Sequence, residues 1–70
     1  MNTIRWGILG CGRIARKFAE GLKSAEAAEL VATGSRSREK ARDFADEFSA
    51  ANSHGSYEEL AADPEVDAIY

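Results

Sequence analysis

The chain has 70 residues, of which 44 % are apolar, and a net charge of −3 from nine basic and twelve acidic side chains. This composition is globular rather than disordered, and the acidic balance argues against a general nucleic-acid-binding surface. The single cysteine and single histidine allow neither an intrachain disulfide nor a structural zinc site. No apolar run approaches the roughly 18 residues of a membrane helix, and no signal peptide is evident. We therefore expect a cytoplasmic protein that binds no metal and no membrane.

The first half of the chain predicts a strand, a helix and a second strand. Ile4–Leu9 is short, apolar and bounded by glycine, which is typical of a buried parallel strand. Apolar residues then recur at helical spacing and predict a helix over about residues 13–23. A second short strand is expected over residues 29–33.

The middle of the chain predicts a loop, a helix and a further loop. Residues 34–37 are rich in glycine and serine, and Ser37 is placed to cap the helix that follows. Apolar residues spaced i, i+3, i+4, i+7 predict that helix over Arg38–Phe48. Residues 52–55 are expected to form a loop.

The last fifteen residues predict a short helix and the start of a third strand. Ser56 and Glu59 have the spacing of a capping box, with serine at the N-cap and glutamate three positions later. Pro64 ends the helix, since the residue before a proline avoids the helical region. Residues 66–70 alternate in the way that an incoming strand does.

The loop after the first strand carries the main chemical signal, a G-x-G-x-x-A motif that opens a helix. Gly10 allows a tight turn, Gly12 lets a pyrophosphate approach the backbone, and Ala15 keeps the helix near the strand. The N–H groups of the first helical turn would then face the phosphates. The cofactor-binding residues predicted here are Gly10, Cys11, Gly12, Arg13 and Ile14, although Arg13 is also consistent with a solvent-facing helix residue.

The motif and the order of elements together define the fold class. Alternating strands and helices predict a parallel sheet with right-handed crossovers. We expect an α/β fold, the β-α-β-α-β first part of a doubly wound Rossmann domain. It is incomplete within these residues because the third strand only begins and because 13 of the apolar residues are alanines.

The end of the second strand predicts which dinucleotide binds. An acidic residue about 20 positions after the motif is typical of NAD sites, whereas arginine suits the 2′-phosphate of NADP. Ser35 and Arg36 occupy this place, so NADP is expected, with NAD possible. Arg38 and Lys40 lie within reach at the start of the next helix, although Arg38 is equally consistent with a solvent-facing helix residue.

Two further side chains are weak candidates for chemistry. Cys11 lies beside a helix N-terminus, which lowers thiol pKa values, but a small residue is expected there on steric grounds alone. His54 has no acidic partner recognisable in the sequence and is interpreted as a loop or strand residue.

Several spaced motifs in order resemble the opening of the Gfo/Idh/MocA oxidoreductases. They are residues 4–15, Leu30-Val31-Ala32 with Ser35-Arg36-Ser37, residues 56–60 and residues 63–70. The resemblance covers essentially the whole chain. Within the family, Ser-Arg after the second strand is similar to the NADP-using branch that contains dihydrodiol and xylose dehydrogenases.

The resemblance implies an NAD(P)-dependent oxidoreductase that transfers a hydride to or from a sugar, polyol or diol. It implies that residues 1–70 are the N-terminal part of the nucleotide-binding domain. The rest of that domain and a C-terminal α/β substrate domain are expected beyond residue 70, with homo-oligomers formed through the latter. The family's catalytic lysine motif has no counterpart here, so no catalytic residue is assigned. The alternative is a non-catalytic protein of the same fold that senses NAD(P).

Overall fold

The computed structural model describes residues 3–10 and 12–70. The prediction for Cys11 lies outside the described residues. The elements in chain order are β1 Ile4–Leu9, α1 Arg13–Ser24, β2 Ala28–Gly34, α2 Arg38–Phe48, β3 Asn52–His54, α3 Tyr57–Ala61 and β4 Ala68–Ile69. The strands form one parallel sheet in the order β3-β2-β1-β4. In this part of the chain, no helix is both long enough and apolar enough to cross a membrane.

The predicted α/β fold is confirmed, with one strand more than expected. Residues 52–54 were expected in a loop but form β3, which pairs in parallel with the last three residues of β2. The prediction was wrong because Asn52–His54 is short and polar, and its strand conformation depends on main-chain pairing rather than on apolar residues. The strand predicted over residues 66–70 is therefore the fourth, and its regular part is Ala68–Ile69.

Helices cover both faces of the sheet, as a doubly wound fold requires. On one face, Ile8 of β1 packs with α1 and α2 in a core completed by Ala15, Ala19, Phe44 and Phe48. Successive residues of a strand face opposite sides of the sheet, so the neighbouring Gly7 belongs to the other face. The fully buried Leu60 of α3 packs there, 3.0 Å from where a Cβ of residue 7 would lie. The small helix α3 thus occupies the face opposite to α1 and α2.

Side chains fix the ends of two helices as the sequence predicts. Ser37 caps α2, and its Oγ accepts a hydrogen bond of 3.2 Å from the backbone N–H of Lys40. Ser56 caps α3 by accepting from the N–H of Glu59 at 3.2 Å. In a standard capping box the glutamate carboxylate accepts from the backbone N–H of the N-cap residue, here Ser56. In this structure the Glu59 carboxylate accepts instead from the N–H of Gly55, at 3.3 Å. Glu59 therefore holds the loop that precedes its own helix.

Candidate functional site

Three loops meet at the carboxyl edge of the sheet, where ligands bind in open α/β sheets. Main-chain hydrogen bonds connect them in sequence. The N–H of Gly10 donates to the carbonyl of Gly34 at 2.7 Å, and the N–H of Ser35 donates to the carbonyl of His54 at 3.2 Å. The loops after β1, β2 and β3 are thereby held side by side.

A cavity of about 790 Å³ lies between these loops. Its walls come from the ends of β1, β2 and β3 and from the start of α3, and they are formed by Leu9, Gly10, Ser35, Arg36, Gly55, Ser56, Tyr57 and Glu58. The structure thus brings the first glycine of the motif and the Ser35–Arg36 pair into one cavity. The sequence does not predict the wall of residues 55–58, because the segment before it, Asn52–His54, lacks the apolar pattern of a strand.

A second, shallower cavity of about 510 Å³ adjoins the first at the loop between β1 and α1, which carries Gly10 and Gly12 and is called the glycine loop below. Leu9 and Gly10 belong to both cavities, and the second is completed by Gly12, Arg13, Ile14, Ala15 and Tyr70. The glycine loop is therefore a wall common to two adjacent spaces. An elongated ligand that crosses this loop would have one half in each of them.

The glycine loop has the backbone geometry that close approach of a ligand requires. Gly10 has a φ of +89°, a left-handed conformation that side chains disfavour. Gly12 is the N-cap of α1, and a Cβ added there would meet no atom within 4 Å. Among the described residues no side chain caps this helix, and its first turn carries no acidic residue. The N–H groups of that turn consequently face an open space and favour an anion.

Ser35 and Arg36 are both available to a ligand in the larger cavity. The Ser35 Oγ accepts a hydrogen bond of 3.2 Å from the N–H of Ser37, which leaves the hydroxyl proton to donate elsewhere. Arg36 is exposed and makes no hydrogen bond or ion pair with the residues that the structure describes. Its guanidinium is thus a cation beside the glycine loop with its donors uncommitted.

Arg38 and Lys40 do not line either of these two cavities. The Arg38 guanidinium instead pairs with Glu59 at 3.0 Å. The backbone N–H of Lys40 serves the cap of α2, and the residue is exposed. Of the four basic or polar residues predicted after β2, the structure brings Ser35 and Arg36 to the wall of the cavity, and Arg38 and Lys40 are not part of that wall.

His54 has an acidic partner that the sequence did not reveal. Its Nε2 lies 2.9 Å from Oδ2 of Asp63, nine positions later, because α3 folds back over the end of β3. The Asp63 side chain is only 5 % exposed and also accepts from Asn52 Nδ2 at 3.0 Å. The hydrogen bond from His54, above all, lowers the pKa of Asp63 from its ordinary value, and a backbone N–H and Asn52 contribute in the same direction.

Asp63→Asn is expected to destabilise the intact protein by about 2 kcal/mol at pH 7, the size of a hydrogen bond to a buried charge. Because folding lowers the pKa of Asp63, the carboxylate stabilises the fold above its ordinary pKa of about 3.9 and loses this effect as the pH falls through the folded-state pKa. The difference in free energy of unfolding between variant and wild type should therefore shrink below about pH 4. Urea denaturation at several pH values measures it.

Asp46→Asn is the matched control, since Asp46 is an exposed carboxylate on α2. Its effect should stay small at every pH value tested. An Asp63→Asn penalty that is equally large at pH 3 and pH 7 would contradict the role of the ionised carboxylate.

Comparison with known proteins places this geometry among the oxidoreductases. Residues 4–70 match the GFO_IDH_MocA family, described as an oxidoreductase family with an NAD-binding Rossmann fold. The trans-1,2-dihydrobenzene-1,2-diol dehydrogenase of Danio rerio is 42 % identical over 70 residues, which cover 97 % of this chain and 21 % of the relative. An uncharacterised oxidoreductase of Rhizobium meliloti is 44 % identical over 71 residues, again 21 % of its length.

Solved structures agree with the sequence relatives. KijD10, a 3-ketoreductase from Actinomadura kijaniata in complex with NADP and TDP-benzene, superposes with a TM-score of 0.88 at 33 % identity. The match covers 99 % of this chain and 21 % of KijD10. The chain therefore spans about a fifth of the length of the proteins that it resembles.

Proposed function

The chain belongs to the Gfo/Idh/MocA oxidoreductase family, and we propose that it forms the adenosine and pyrophosphate part of an NADP site. The observation that carries this proposal is the cavity that Gly10 shares with Ser35 and Arg36. A phosphate-binding loop and a hydroxyl–guanidinium pair in one cavity suit a nucleotide that has both a pyrophosphate and a 2′-phosphate.

The glycine loop fits a pyrophosphate in both shape and charge. The open space above Gly12 would accept a phosphate group that any larger side chain would displace. The uncapped first turn of α1 supplies N–H donors, and the helix dipole favours a negative charge at the same place. These groups would bind and orient the cofactor without taking part in the reaction.

The end of β2 fits the 2′-phosphate better than a bare ribose hydroxyl. Arg36 offers a planar set of donors to phosphate oxygens, and the Ser35 hydroxyl adds one more. The acidic residue that would accept from the ribose of NAD is missing from residues 31–38. The NADP found with KijD10 supports this choice, as that protein is similar over nearly the whole of this chain.

We propose further that the intact protein is a dehydrogenase or reductase acting on a diol, polyol or sugar. The names of its relatives support this substrate class, since they include a dihydrodiol dehydrogenase and a 3-ketoreductase. When bound, the nicotinamide supplies or accepts a hydride at the substrate carbon. The part of the reaction assigned to residues 4–70 is to hold the cofactor in place.

The wild-type protein is expected to bind NADP about ten- to a hundredfold more tightly than NAD. One charge-assisted contact contributes roughly 1.5–3 kcal/mol, and about 1.4 kcal/mol corresponds to a factor of ten. Dissociation constants for NADP and NAD at one fixed salt concentration measure the preference, and NADP reduction with diols and sugars measures the activity. Equal affinities would refute the NADP preference. Cofactor binding without turnover of any such substrate would favour a sensor protein over an enzyme.

A further inference from the structure

Arg38, Glu59 and Gly55 form a cluster at the rim of the larger cavity, and the cofactor contacts proposed above do not use it. The Arg38 guanidinium donates to both carboxylate oxygens of Glu59, at 3.2 and 3.0 Å. The carboxylate in turn accepts from the N–H of Gly55 at 3.3 Å. These two hydrogen bonds lower the pKa of Glu59, the one from Gly55 having the larger effect. The cluster therefore connects the start of α2 to the loop between β3 and α3.

The guanidinium also packs directly on the Gly55 backbone. A Cβ added at Gly55 would lie 2.8 Å from one terminal nitrogen of Arg38, 3.0 Å from Cζ and 3.1 Å from Nε. Three atoms of the planar group at such similar distances mean that its face covers the glycine. Gly55 belongs to the cavity wall, so Arg38 packs against a residue of that wall.

The stability of the fold does not explain this arrangement. The side chains of Arg38 and Glu59 are 68 % and 45 % exposed, and ion pairs at such positions contribute little to folding. The pair instead joins Gly55 to the start of α2. The N–H of Ser35, just before that helix, is bonded to the carbonyl of His54. Both walls of the cavity are thus fastened to each other through residues 54 and 55.

We propose that Arg38, acting through Glu59 and Gly55, is a positioning residue that sets the width of the adenosine cavity. This inference rests on the proposed dinucleotide function. It assigns Arg38 a role different from the one expected from sequence, where it was a candidate for the 2′-phosphate. In this proposal Arg36 contacts the 2′-phosphate. Arg38 makes no contact with the cofactor and positions Gly55 in the wall of the adenosine cavity.

The two roles differ in the cofactor that they affect. NADP and NAD share the same adenosine, so loss of the wall weakens both equally. Loss of a phosphate contact weakens NADP alone. The ratio of the two dissociation constants therefore separates a positioning residue from a phosphate ligand, and a change in stability alone would not move either constant for the folded protein.

The test compares Arg38→Ala, Glu59→Gln and the double variant in the intact protein. Each single variant should weaken NADP and NAD binding by the same factor, about three- to tenfold, and the double variant should lose little more than either alone. The melting temperature should change little, because the pair is exposed. Arg42→Ala is the matched control, since it removes one cation from the same helix at a residue outside the cavity wall.

Three results would overturn the inference. Loss confined to NADP in Arg38→Ala would make Arg38 a phosphate ligand, and additive losses in the double variant would mean that Arg38 does not act through Glu59. Unchanged affinities in both single variants would mean that the wall does not depend on the pair. A wild-type protein that binds neither dinucleotide would refute the proposed function and this inference together, whereas the three earlier results leave the proposed function intact.

Discussion

We expect Gly12→Val to abolish binding of both NADP and NAD and to leave the fold intact. A Cβ at residue 12 meets no protein atom within 4 Å, and the residue has a φ of −83°, which valine adopts without strain. The branched side chain would fill the space proposed for the pyrophosphate. Losing several charge-assisted hydrogen bonds of roughly 1.5–3 kcal/mol each should lower affinity by more than about a hundredfold. Titration of the intact protein with each dinucleotide measures it.

Gly21→Val controls for the substitution itself. Gly21 lies in the last turn of α1, at the opposite end of the helix from the glycine loop. A Cβ added there also meets no atom within 4 Å. Its affinity for both cofactors should match that of the wild type, and circular dichroism should be unchanged in both variants. Unaltered cofactor affinity in Gly12→Val would mean that Gly12 serves only the turn between β1 and α1.

Substitutions at the end of β2 should reverse the choice of cofactor. Arg36→Ala removes the uncommitted guanidinium from the cavity and should lower NADP affinity about ten- to a hundredfold, with NAD affinity nearly unchanged. Ser35→Asp should go further, because a carboxylate there repels the 2′-phosphate and accepts from the ribose hydroxyls of NAD. The measurement is the pair of dissociation constants for the wild type and both variants at one salt concentration.

The same measurement identifies what Arg36 does if the expectation fails. An equal loss of both cofactors in Arg36→Ala would mean that the guanidinium stacks on the adenine and does not read the phosphate. An NADP preference that survives Ser35→Asp would remove residue 35 from the phosphate contacts. Arg42→Ala should again leave both constants unchanged, since Arg42 is a nearby cation on α2 that lies outside this cavity.

Elements with an apolar repeat could be predicted from the sequence almost to the residue. The bounds of β1 and α2 agree with the expected ones, and α1 extends one residue further. In β1 and α2 the apolar residues of the pattern fill the core, as Ile8, Phe44 and Phe48 do. In α1 the expected apolar face is only partly correct, because Leu22 is buried but Ile14 is 71 % exposed. The caps at Ser37 and Ser56 could be predicted for a similar reason, because each depends on a local hydrogen bond.

Contacts that depend on β3 and α3 could not be predicted in the same way. β3 forms because its main chain pairs with residues 32–34 of β2. Its sequence, Asn-Ser-His, has no apolar alternation that would predict a strand. The position of Gly55 in the cavity wall and the contact between His54 and Asp63 both depend on β3, so the sequence predicts neither. The ion pair of Arg38 could not be predicted either, because its partner Glu59 lies 21 positions away and on another helix.

Main-chain hydrogen bonds join the ends of the neighbouring strands at the site. The bonds from Gly10 to Gly34, from Ser35 to His54 and from Leu9 to Tyr70 all use backbone N–H and carbonyl groups. The side chain of Arg36, which makes no hydrogen bond with the described residues, can therefore be exchanged without breaking these bonds. If the residues after β2 select the cofactor as proposed, this hydrogen-bonded frame would let the cofactor preference change by substitution there while the main-chain bonds between the strands are kept.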